Sequence, residues 1–331
     1  MKMLMNRRQV LSGAAAGAAS TVLPAAGAWA NGTYPDRAIK LVVPWATGGS
    51  TDVLARAVGQ NLNDLLGKPV VIDNRPGASG RLGIDAMVKS PADGYTTAVI
   101  ELAHAIAPSI FQRMSYDIMN DTAAVSMLGD SPLILFVDAQ KYKPGQYQRF
   151  LDDAKKSTPT FAIATSGNGS ISHLAAGLFA KETGVEFQMI PYKGSAPALT
   201  DVAGGLLAGH ICTLASASSL LAGGKIVPLM VTGNKRVPQL PNVPCATELK
   251  LTRMDFGQWW ALVTPARIPK PVLETLYKAT AASVNDKRVK DRISNLAINL
   301  GSRSPDETLA FVRAEATKWS RVVADLGIKP E

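Results

Sequence analysis

The sequence predicts an α/β fold made of two similar halves and a helical C-terminal region. Short apolar runs alternate with segments whose apolar residues recur at helical spacing, and this alternation occurs twice. Gly, Pro and small polar residues separate the segments, an order typical of a largely parallel sheet. With 331 residues, 47% of them hydrophobic and 18% charged, the chain is long enough for two domains and has a globular composition.

In the first half, apolar runs predict strands over 39–43, 70–73 and 95–100, and helical spacing predicts helices over 52–66 and 81–88. The first helix carries Leu54, Val58, Leu62 and Leu65 on one face. We expect this helix to end at Gly67, because glycine is common just beyond the last helical residue.

The second half repeats the pattern, and helices follow it. The predicted strands and extended segments cover 125–128, 133–137, 161–164, 187–191, 211–214, 226–231 and 259–263. The predicted helices cover 150–156, 172–181, 197–203, 270–282, 287–296 and 305–326.

The N-terminus predicts an export signal. Arg7 and Arg8 precede an apolar stretch rich in Ala and Gly, and the segment Ala28-Trp29-Ala30 fits the small-x-small cleavage rule. We expect a twin-arginine-type signal peptide over 1–30, cleaved after Ala30, and a periplasmic protein. Gly, Ser and Pro interrupt the stretch too often for a transmembrane anchor.

The net charge and the number of cysteines limit the classes of function that the chain can have. Cleavage would lower the formal net charge from +9 to +6, and the remaining basic residues are scattered, so we predict no nucleic-acid partner. A moderately positive exported protein suits an anionic small ligand. The sequence has two cysteines, Cys212 and Cys245, and leaves open whether they form a disulfide or stay free.

Four strand-to-helix junctions are rich in Gly, Ser and Thr; they lie at 47–52, 74–80, 165–172 and 192–197. The first N–H groups of a helix lack internal partners and lie at the positive end of its dipole. Glycine lets a ligand approach that backbone, and hydroxyl groups add donors. Because ligands of open α/β sheets bind at the carboxyl ends of the strands, we expect two junctions from each half to line one anion-binding cleft.

The sequence lacks the motifs of several other kinds of functional site. The chain contains no dinucleotide-binding fingerprint, no P-loop and no nucleophile elbow. Its histidines, His104, His173 and His210, do not have the spacing of metal ligands. We therefore predict a binding protein without metal or cofactor. The enzymatic alternative would need Ser170 or Ser172 to meet His173 and Asp201 in space.

The chain resembles the receptor family of tripartite tricarboxylate transporters, also called Bug-type extracytoplasmic solute-binding proteins. The resemblance is carried, in order, by Tyr-Pro-Asp-Arg from Tyr34, Gly-Gly-Ser-Thr-Asp from Gly48, Asn-Arg-Pro-Gly-Ala-Ser-Gly from Asn74, Ser-Pro-Ala-Asp-Gly-Tyr from Ser90, Gly-Ser-Ile-Ser-His-Leu from Gly169, Pro-Tyr-Lys-Gly from Pro191, Arg-Val-Pro-Gln-Leu-Pro from Arg236 and the strand around Trp260. Each block is modest, but the ordered set is specific and spans nearly the whole mature chain.

The resemblance implies a two-lobed type II periplasmic-binding-protein fold, with a mostly parallel sheet and flanking helices in each lobe and a ligand cleft between the lobes. We expect residues 31–130 and 256–331 to form lobe 1 and residues 131–255 to form lobe 2. It also implies a monomeric receptor that captures a small carboxylate and delivers it to the membrane permease subunits of such a transporter. It implies no catalysis.

The resemblance also assigns the ligand-binding residues of the cleft. The expected set is Trp45, Thr47, Gly49, Ser50, Thr51, Asp52, Ser79, Ser170, Ser172, His173, Lys193, Gly194, Ala196, Pro197 and Asp201. To this set we add Glu101, which the resemblance does not supply. We expect Asp52 to order its loop or accept a ligand donor. His173 would contact the carboxylate or cap its own helix, and Lys193 would pair with the anion or lie at the lobe edge.

The chain departs from the family pattern in two places. Glu101 and His104 follow the third strand, where small polar residues are usual, and an apolar stretch occupies 205–212. A carboxylate at Glu101 would repel a second anionic group, or accept an ammonium or hydroxyl, or point away. The identity of the carboxylate stays open, as do two rival functions: an exported α/β hydrolase-like enzyme and a ligand sensor that docks on a receptor kinase.

Overall fold

The computed structural model describes residues 34–157 and 161–330. The signal peptide predicted over 1–30 lies outside these residues. In the described part of the chain, no helix is both long enough and apolar enough to span a bilayer.

The first sheet has six strands in the order β11-β4-β10-β3-β1-β2. The strands are β1 (Ile39–Val43), β2 (Val70–Asn74), β3 (Thr96–Ile100), β4 (Thr122–Pro132), β10 (Gly257–Pro265) and β11 (Asn299–Leu300). Its helices are α1 (Ser50–Leu66), α2 (Arg81–Val88), α3 (Leu102–Ala105), α4 (Ala107–Ile110), α9 (Lys270–Asn285), α10 (Lys287–Ile293) and α11 (Pro305–Asp325).

The second sheet has five strands in the order β7-β6-β8-β5-β9. These are β5 (Ile134–Asp138), β6 (Ala162–Thr165), β7 (Gln188–Pro191), β8 (Gly209–Cys212) and β9 (Ile226–Val231). The helices of this half are α5 (Tyr147–Ser157), α6 (Ile171–Thr183), α7 (Ser195–Ala203) and α8 (Leu214–Ala222).

Both sheets are mixed, which corrects the expectation of mostly parallel sheets. Strand β1 runs parallel to β2 and β3, but β10 runs antiparallel to β3 and β4. In the second sheet, β6 runs parallel to β7 and β8, whereas β5 runs antiparallel to β8 and β9. Strand–helix alternation along the chain indicates parallel neighbours, but β10 reaches its place between β3 and β4 from far along the sequence. Local spacing does not report such an insertion.

The chain passes between the sheets at two adjacent points. Strand β4 ends at Pro132 and β5 begins at Ile134, with Leu133 between them. The Leu133 N–H donates to Thr232 Oγ1 over 2.8 Å, and the Thr232 N–H, just beyond β9, donates to the Leu133 carbonyl over 2.8 Å. This strand membership supports, as a proposal, lobe 1 over 31–130 and 256–331 and lobe 2 over 131–255, except that residues 131 and 132 belong to β4 of the first sheet.

Helix α1 is positioned by its apolar face and its ends. Leu54, Val58 and Leu62 are buried against the first sheet, as their spacing predicts. Leu65 is 45% exposed, contrary to its predicted place on that face, whereas the next residue, Leu66, packs against the core. Gly67 ends the helix at φ +65°, and its N–H donates to the Asn63 carbonyl.

The region after β8 differs most from the prediction. The expected strand over 211–214 ends at Cys212, and the unpredicted helix α8 begins at Leu214. The sequence of α8, Leu-Ala-Ser-Ala-Ser-Ser-Leu-Leu-Ala, has few charged or large residues, so it carries little helical periodicity. The sequence therefore does not indicate the Ser/Thr-rich junction before α8. This is a fifth junction of the same kind, and it faces the cleft.

Candidate functional site

The N-termini of α1, α6, α7 and α8 meet around one cavity of about 40 Å³ between the two sheets. The lining residues are Trp45, Ala46, Gly49, Ser50, Thr51, Glu101, Leu133, Ser166, Ser170, Ile171, Ser172, Gly194, Ser195, Ile211, Cys212, Thr213, Ser216 and Gln258. None of them is Lys, Arg or His. An anion placed here would therefore meet helix dipoles, N–H groups and hydroxyls instead of a cationic side chain.

Three of these helix ends lack a side-chain cap. Gly49 precedes α1, Gly194 precedes α7 and Thr213 precedes α8, and none of the three supplies a side-chain hydrogen bond to its helix. In contrast, Ser170 caps α6 by accepting from the His173 N–H. Gly194 has φ +137°, a backbone conformation that essentially only glycine adopts, so the turn before α7 requires this residue.

We name the residues carried by the first sheet and its helices the first wall, and those carried by the second sheet and its helices the second wall. The two walls touch directly, because the Ser50 N–H of α1 donates to Ser216 Oγ of α8 over 2.9 Å. Thus the first N–H of α1 is satisfied by the opposite wall.

In the first wall, Asp52 orders the loop that precedes α1. It accepts from the Gly48 N–H and from Asn74 Nδ2, each over 3.0 Å, and it pairs with Arg56 at 2.9 Å. Burial raises the pKa of Asp52, but the donors Arg56, Gly48 and Asn74 outweigh it, and the pKa is lowered overall. Asp52 does not line the cavity.

Glu101 is the one acidic residue that lines the cavity. Its carboxyl accepts the last in a series of buried hydrogen bonds. Trp260 Nε1–H donates to Thr51 Oγ1 over 3.0 Å, and the Thr51 hydroxyl donates to Glu101 Oε2 over 2.9 Å. Gln258 Nε2 donates to the same oxygen over 2.5 Å. The indole N–H is only a donor, so it fixes the direction of the series and commits the Thr51 hydrogen to Glu101.

Burial raises the pKa of Glu101 from 4.5 to about 7, against the lowering effect of Thr51, Trp45 and Gln258. This carboxyl therefore changes charge near neutral pH. Beside it, Trp45 Nε1 faces the Glu101 carboxyl without meeting the geometry of a full hydrogen bond, and Gln258 Oε1 is buried without a partner in the described part of the chain.

Trp45 is a buried residue of the first wall. Its side chain is 5% exposed, and its ring packs edge-on against His104 with centroids 6.1 Å apart. Nδ1 of His104 accepts from the Glu101 N–H over 3.1 Å. Burial lowers the pKa of His104 to about 4, so the imidazole is neutral at physiological pH.

The second wall is a network of hydroxyls. Ser172 Oγ accepts from the Ser166 N–H over 2.7 Å and shares a hydrogen bond of 2.9 Å with Ser170 Oγ. Ser166 Oγ lies 2.8 Å from Ser195 Oγ, so the loops before α6 and α7 are joined through their side chains.

His210 on β8 supports this network from behind the cavity. Its Nδ1–H donates to the Ala164 carbonyl over 2.8 Å, and Nε2 lies 3.1 Å from Ser195 Oγ. Burial lowers the pKa of His210 to about 4, so the ring is neutral and Nε2 must accept from a hydroxyl. One of the two hydroxyl hydrogens of Ser166 and Ser195 serves Nε2 and the other serves the contact between the two oxygens, so donation to a ligand requires one of them to turn.

The structure separates the predicted site residues into three groups. Those that line the cavity are Trp45, Gly49, Ser50, Thr51, Glu101, Ser170, Ser172 and Gly194. Thr47, Asp52, His173, Ala196 and Asp201 lie outside it. His173 Nδ1 accepts from the Gly169 N–H over 3.0 Å, which is the capping arrangement, and Asp201 accepts from the Tyr192 hydroxyl.

Ser79, Lys193 and Pro197 line a wider groove of about 720 Å³ that adjoins the cavity and shares Trp45, Ala46 and Ser166 with it. We call this the outer groove. The junction at 74–80 therefore lies on the outer groove, and the junction before α8 takes its place at the cavity. Lys193 is exposed at the groove, and no carboxylate of the described residues lies within ion-pair distance of it.

The lining residues that sequence reasoning missed are Ala46, Leu133, Ser166, Ile171, Ser195, Ile211, Cys212, Thr213, Ser216 and Gln258. Ser166, Ile171 and Ser195 lie within the recognised junctions, so the sequence could have indicated them as site residues. Cys212, Thr213 and Ser216 needed α8 to be recognised. Gln258 had no local signal, because its strand β10 reaches the cavity only through the sheet topology.

Cys212 and Cys245 are both buried free thiols. Burial raises the pKa of Cys212, so this cavity-lining thiol is neutral. Among the described residues, no group of three or more His, Cys, Asp or Glu side chains is placed to hold a metal ion.

Comparison with known proteins gives a consistent result. The model of the tripartite tricarboxylate transporter family receptor matches residues 54–328. BugT of Bordetella pertussis is 34% identical over 299 residues, which cover 90% of this chain and 91% of BugT. The periplasmic binding protein BugD has a TM-score of 0.84 at 27% identity, covering 90% of this chain and 100% of that one. Rpa4515 of R. palustris, solved with adipate, has a TM-score of 0.86 at 32% identity and the same coverage.

These matches confirm the predicted two-lobed α/β fold of periplasmic binding proteins. They also confirm the prediction of a solute-binding receptor and not an enzyme, which removes the hydrolase alternative. The chain belongs to the tripartite tricarboxylate transporter receptor family.

Proposed function

We propose that this receptor captures a small carboxylate in the cavity between its lobes and delivers it to the membrane permease subunits of a tripartite tricarboxylate-type transporter. The observation that carries the proposal is the meeting of the N-termini of α1, α6, α7 and α8 around one cavity. Such ends bind anions through N–H groups and the helix dipole. The adipate bound to Rpa4515 supports a carboxylate as the class of ligand.

The carboxylate would be held by both walls. The proposed donors are the N–H groups at the start of α7, those of the first turn of α1 beyond Ser50, and the hydroxyls of Ser166 and Ser195 when one of them turns toward the ligand. The Ser170 hydroxyl is already engaged with the Gly167 carbonyl. We place Thr51, Asp52 and His173 in supporting roles, because their polar atoms are already engaged by Glu101, Arg56 and the Gly169 N–H. Since donors come from both walls, binding favours the closed arrangement of the lobes, which would present one surface to the permease.

The remaining parts of the proposal concern location and assembly. We propose export by a signal peptide over 1–30, cleavage after Ala30, a monomer in the periplasm, and no cofactor. The twin-arginine pair and the relation to BugD support this location.

Thermal unfolding with a panel of carboxylates tests the proposal. The purified protein is unfolded and refolded to remove co-purified ligand, and melted with acetate, butyrate, succinate, adipate and citrate. A ligand that binds only the folded state raises the midpoint. We expect a concentration-dependent rise for at least one carboxylate, and none for the matching amide or methyl ester, which lacks the negative charge. If no carboxylate raises the midpoint of correctly folded protein, the proposed ligand class is wrong.

A further inference from the structure

Glu101 introduces an acid into a cavity that otherwise suits an anion. Its side chain is 5% exposed and lines the cavity together with the N-terminus of α1. A cavity of about 40 Å³ holds only about three water-sized groups, so any ligand carboxylate within it lies close to Glu101. Two carboxylates at such separation cannot both ionise readily in a buried site.

The atoms beside Glu101 indicate which ligand groups would fit. Trp45 Nε1 is a buried donor that faces Glu101 and lowers its pKa without meeting the geometry of a full hydrogen bond, and Gln258 Oε1 is a buried acceptor without a partner among the described residues. A hydroxyl or a carboxyl oxygen can accept from this indole N–H, whereas an ammonium group cannot accept at all. Glu101 Oε2 already accepts from Thr51 and Gln258. Besides the Glu101 carboxyl itself, an ammonium would find one unpartnered buried acceptor of the described residues here, Gln258 Oε1.

Of the groups that face Glu101, none other titrates near neutral pH. His104 follows it on α3, and His210 lies behind Ser195; burial lowers the pKa of each to about 4. The pKa of Asp52, one residue beyond Thr51 on α1, is also lowered, and that of Cys212 on the second wall is raised by burial. The other neighbours, Trp45 and the β10 residues Gln258 and Trp260, do not ionise. Among the described residues, Glu101 is thus the cavity group whose charge changes between about pH 5 and 9.

We propose that Glu101 determines the charge class of the ligand: the receptor captures a carboxylate without an ammonium group, and Glu101 takes up a proton as that carboxylate enters. This inference rests on the proposed capture of a carboxylate and specifies it. The neutral carboxyl then lies beside the ligand without repulsion. At higher pH the ionised carboxyl competes with the ligand for the same positive helix ends, and affinity falls.

Isothermal titration calorimetry with adipate, succinate and butyrate tests the proposal on the wild-type protein. Titrations in two buffers with different ionisation enthalpies report the protons exchanged on binding. With a pKa of about 7 in the free protein, we expect uptake of roughly half a proton at pH 7 and nearly one at pH 8.5. The affinity should fall by roughly 25-fold between pH 6.5 and 8.5.

The variant Glu101→Gln keeps the size of the side chain and cannot ionise. We expect no proton uptake in this variant and, at pH 8.5, roughly 30-fold tighter binding than the wild type. The control Glu186→Gln removes an exposed acid outside the cavity and should keep the wild-type slope. If Glu101→Gln does not fold, the two-buffer titration of the wild type decides alone.

The outcomes separate this inference from the proposed function. Carboxylate binding without proton exchange, or a Glu101→Gln variant that keeps the pH slope, overturns the role of Glu101 and leaves carboxylate capture intact. Tighter binding of alanine than of butyrate, with affinity that rises with pH, also overturns it and indicates an ionised Glu101 paired with an ammonium. Absence of binding by every carboxylate overturns both proposals.

Discussion

The two walls of the cavity are built from the same kind of strand-to-helix junction but use it differently. The first wall ends in an ionisable carboxyl, Glu101, held by a fixed chain of donors from Trp260 and Thr51. The second wall presents serine hydroxyls, backed by the neutral ring of His210. The first wall can therefore respond to pH, whereas the second wall can only reorient its hydroxyl hydrogens.

On the proposal above, the first wall sets the charge of the ligand, and the second wall supplies hydroxyl groups. The Trp260 N–H can only donate, so each hydrogen bond in this series of the first wall has one possible donor. The second wall has no such fixed donor at its cavity end, and hydroxyls can serve as donors or acceptors. We expect changes in the first wall to alter pH dependence, and changes in the second wall to alter affinity at every pH.

The largest expected effect is on stability and comes from Glu101→Gln. The folded pKa of Glu101, about 7, exceeds its ordinary value of 4.5, so its stabilising contribution is complete below pH 4.5 and is lost as pH rises through 7. Relative to the variant, the wild type should lose at most about 3 kcal/mol of unfolding free energy across this window. Urea unfolding of both proteins from pH 4 to 8 measures the difference.

The two buried histidines change the unfolding free energy in the opposite direction. Their effect is the same in the wild type and the variant, so it cancels in the comparison. Their lowered pKa values make stability fall as pH drops from 6.5 through about 4, equally in both proteins. A wild-type curve parallel to that of Glu101→Gln over the whole range would contradict a neutral carboxyl in the first wall.

A smaller effect is expected from Ser172→Ala in the second wall. The substitution leaves the buried Ser166 N–H without its acceptor, at a cost of about 1–3 kcal/mol in unfolding free energy. Because the serine network also lines the cavity, carboxylate affinity should fall by roughly tenfold at both pH 6.5 and pH 8.5. Melting curves and calorimetry at the two pH values check both effects.

The control for this variant is Ser218→Ala on α8, whose hydroxyl donates to the Ala215 carbonyl of its own helix and does not line the cavity. It should change neither affinity nor its pH slope. A Ser172→Ala variant that weakened binding only at high pH would contradict the separation between the walls.

The smallest effect is expected in the outer groove, from Lys193→Gln. An exposed cation beside the cavity attracts an anion from a distance, and salt screens this attraction. We expect association to slow by roughly twofold at low ionic strength and to match the wild type at about 0.5 M salt, with dissociation unchanged. Stopped-flow measurements check this, with Lys290→Gln on α10 as the control. A slowing that persists at high salt would indicate direct contact with the ligand.

Sequence and structure agree best where the signal is local. The bounds of β1 and α2 were predicted to the residue, and three of the four recognised junctions lie at the cavity. Gly49, Ser50, Ser170 and Gly194 follow from the chemistry of a helix start. The missed parts were non-local: α8 lacked amphipathic spacing, and Gln258 reaches Glu101 from 157 residues away.

The sequence by itself determined the α/β class, most of the strands and longer helices, four of the Gly/Ser/Thr-rich helix starts and the resemblance to a receptor family. Local backbone preference and apolar spacing suffice for these features. Only the tertiary structure decided the mixed direction of the sheets, the place of the junction before α8 and the state of Glu101. Its burial, and the donors that reach it from α1 and β10, depend on groups brought together by folding.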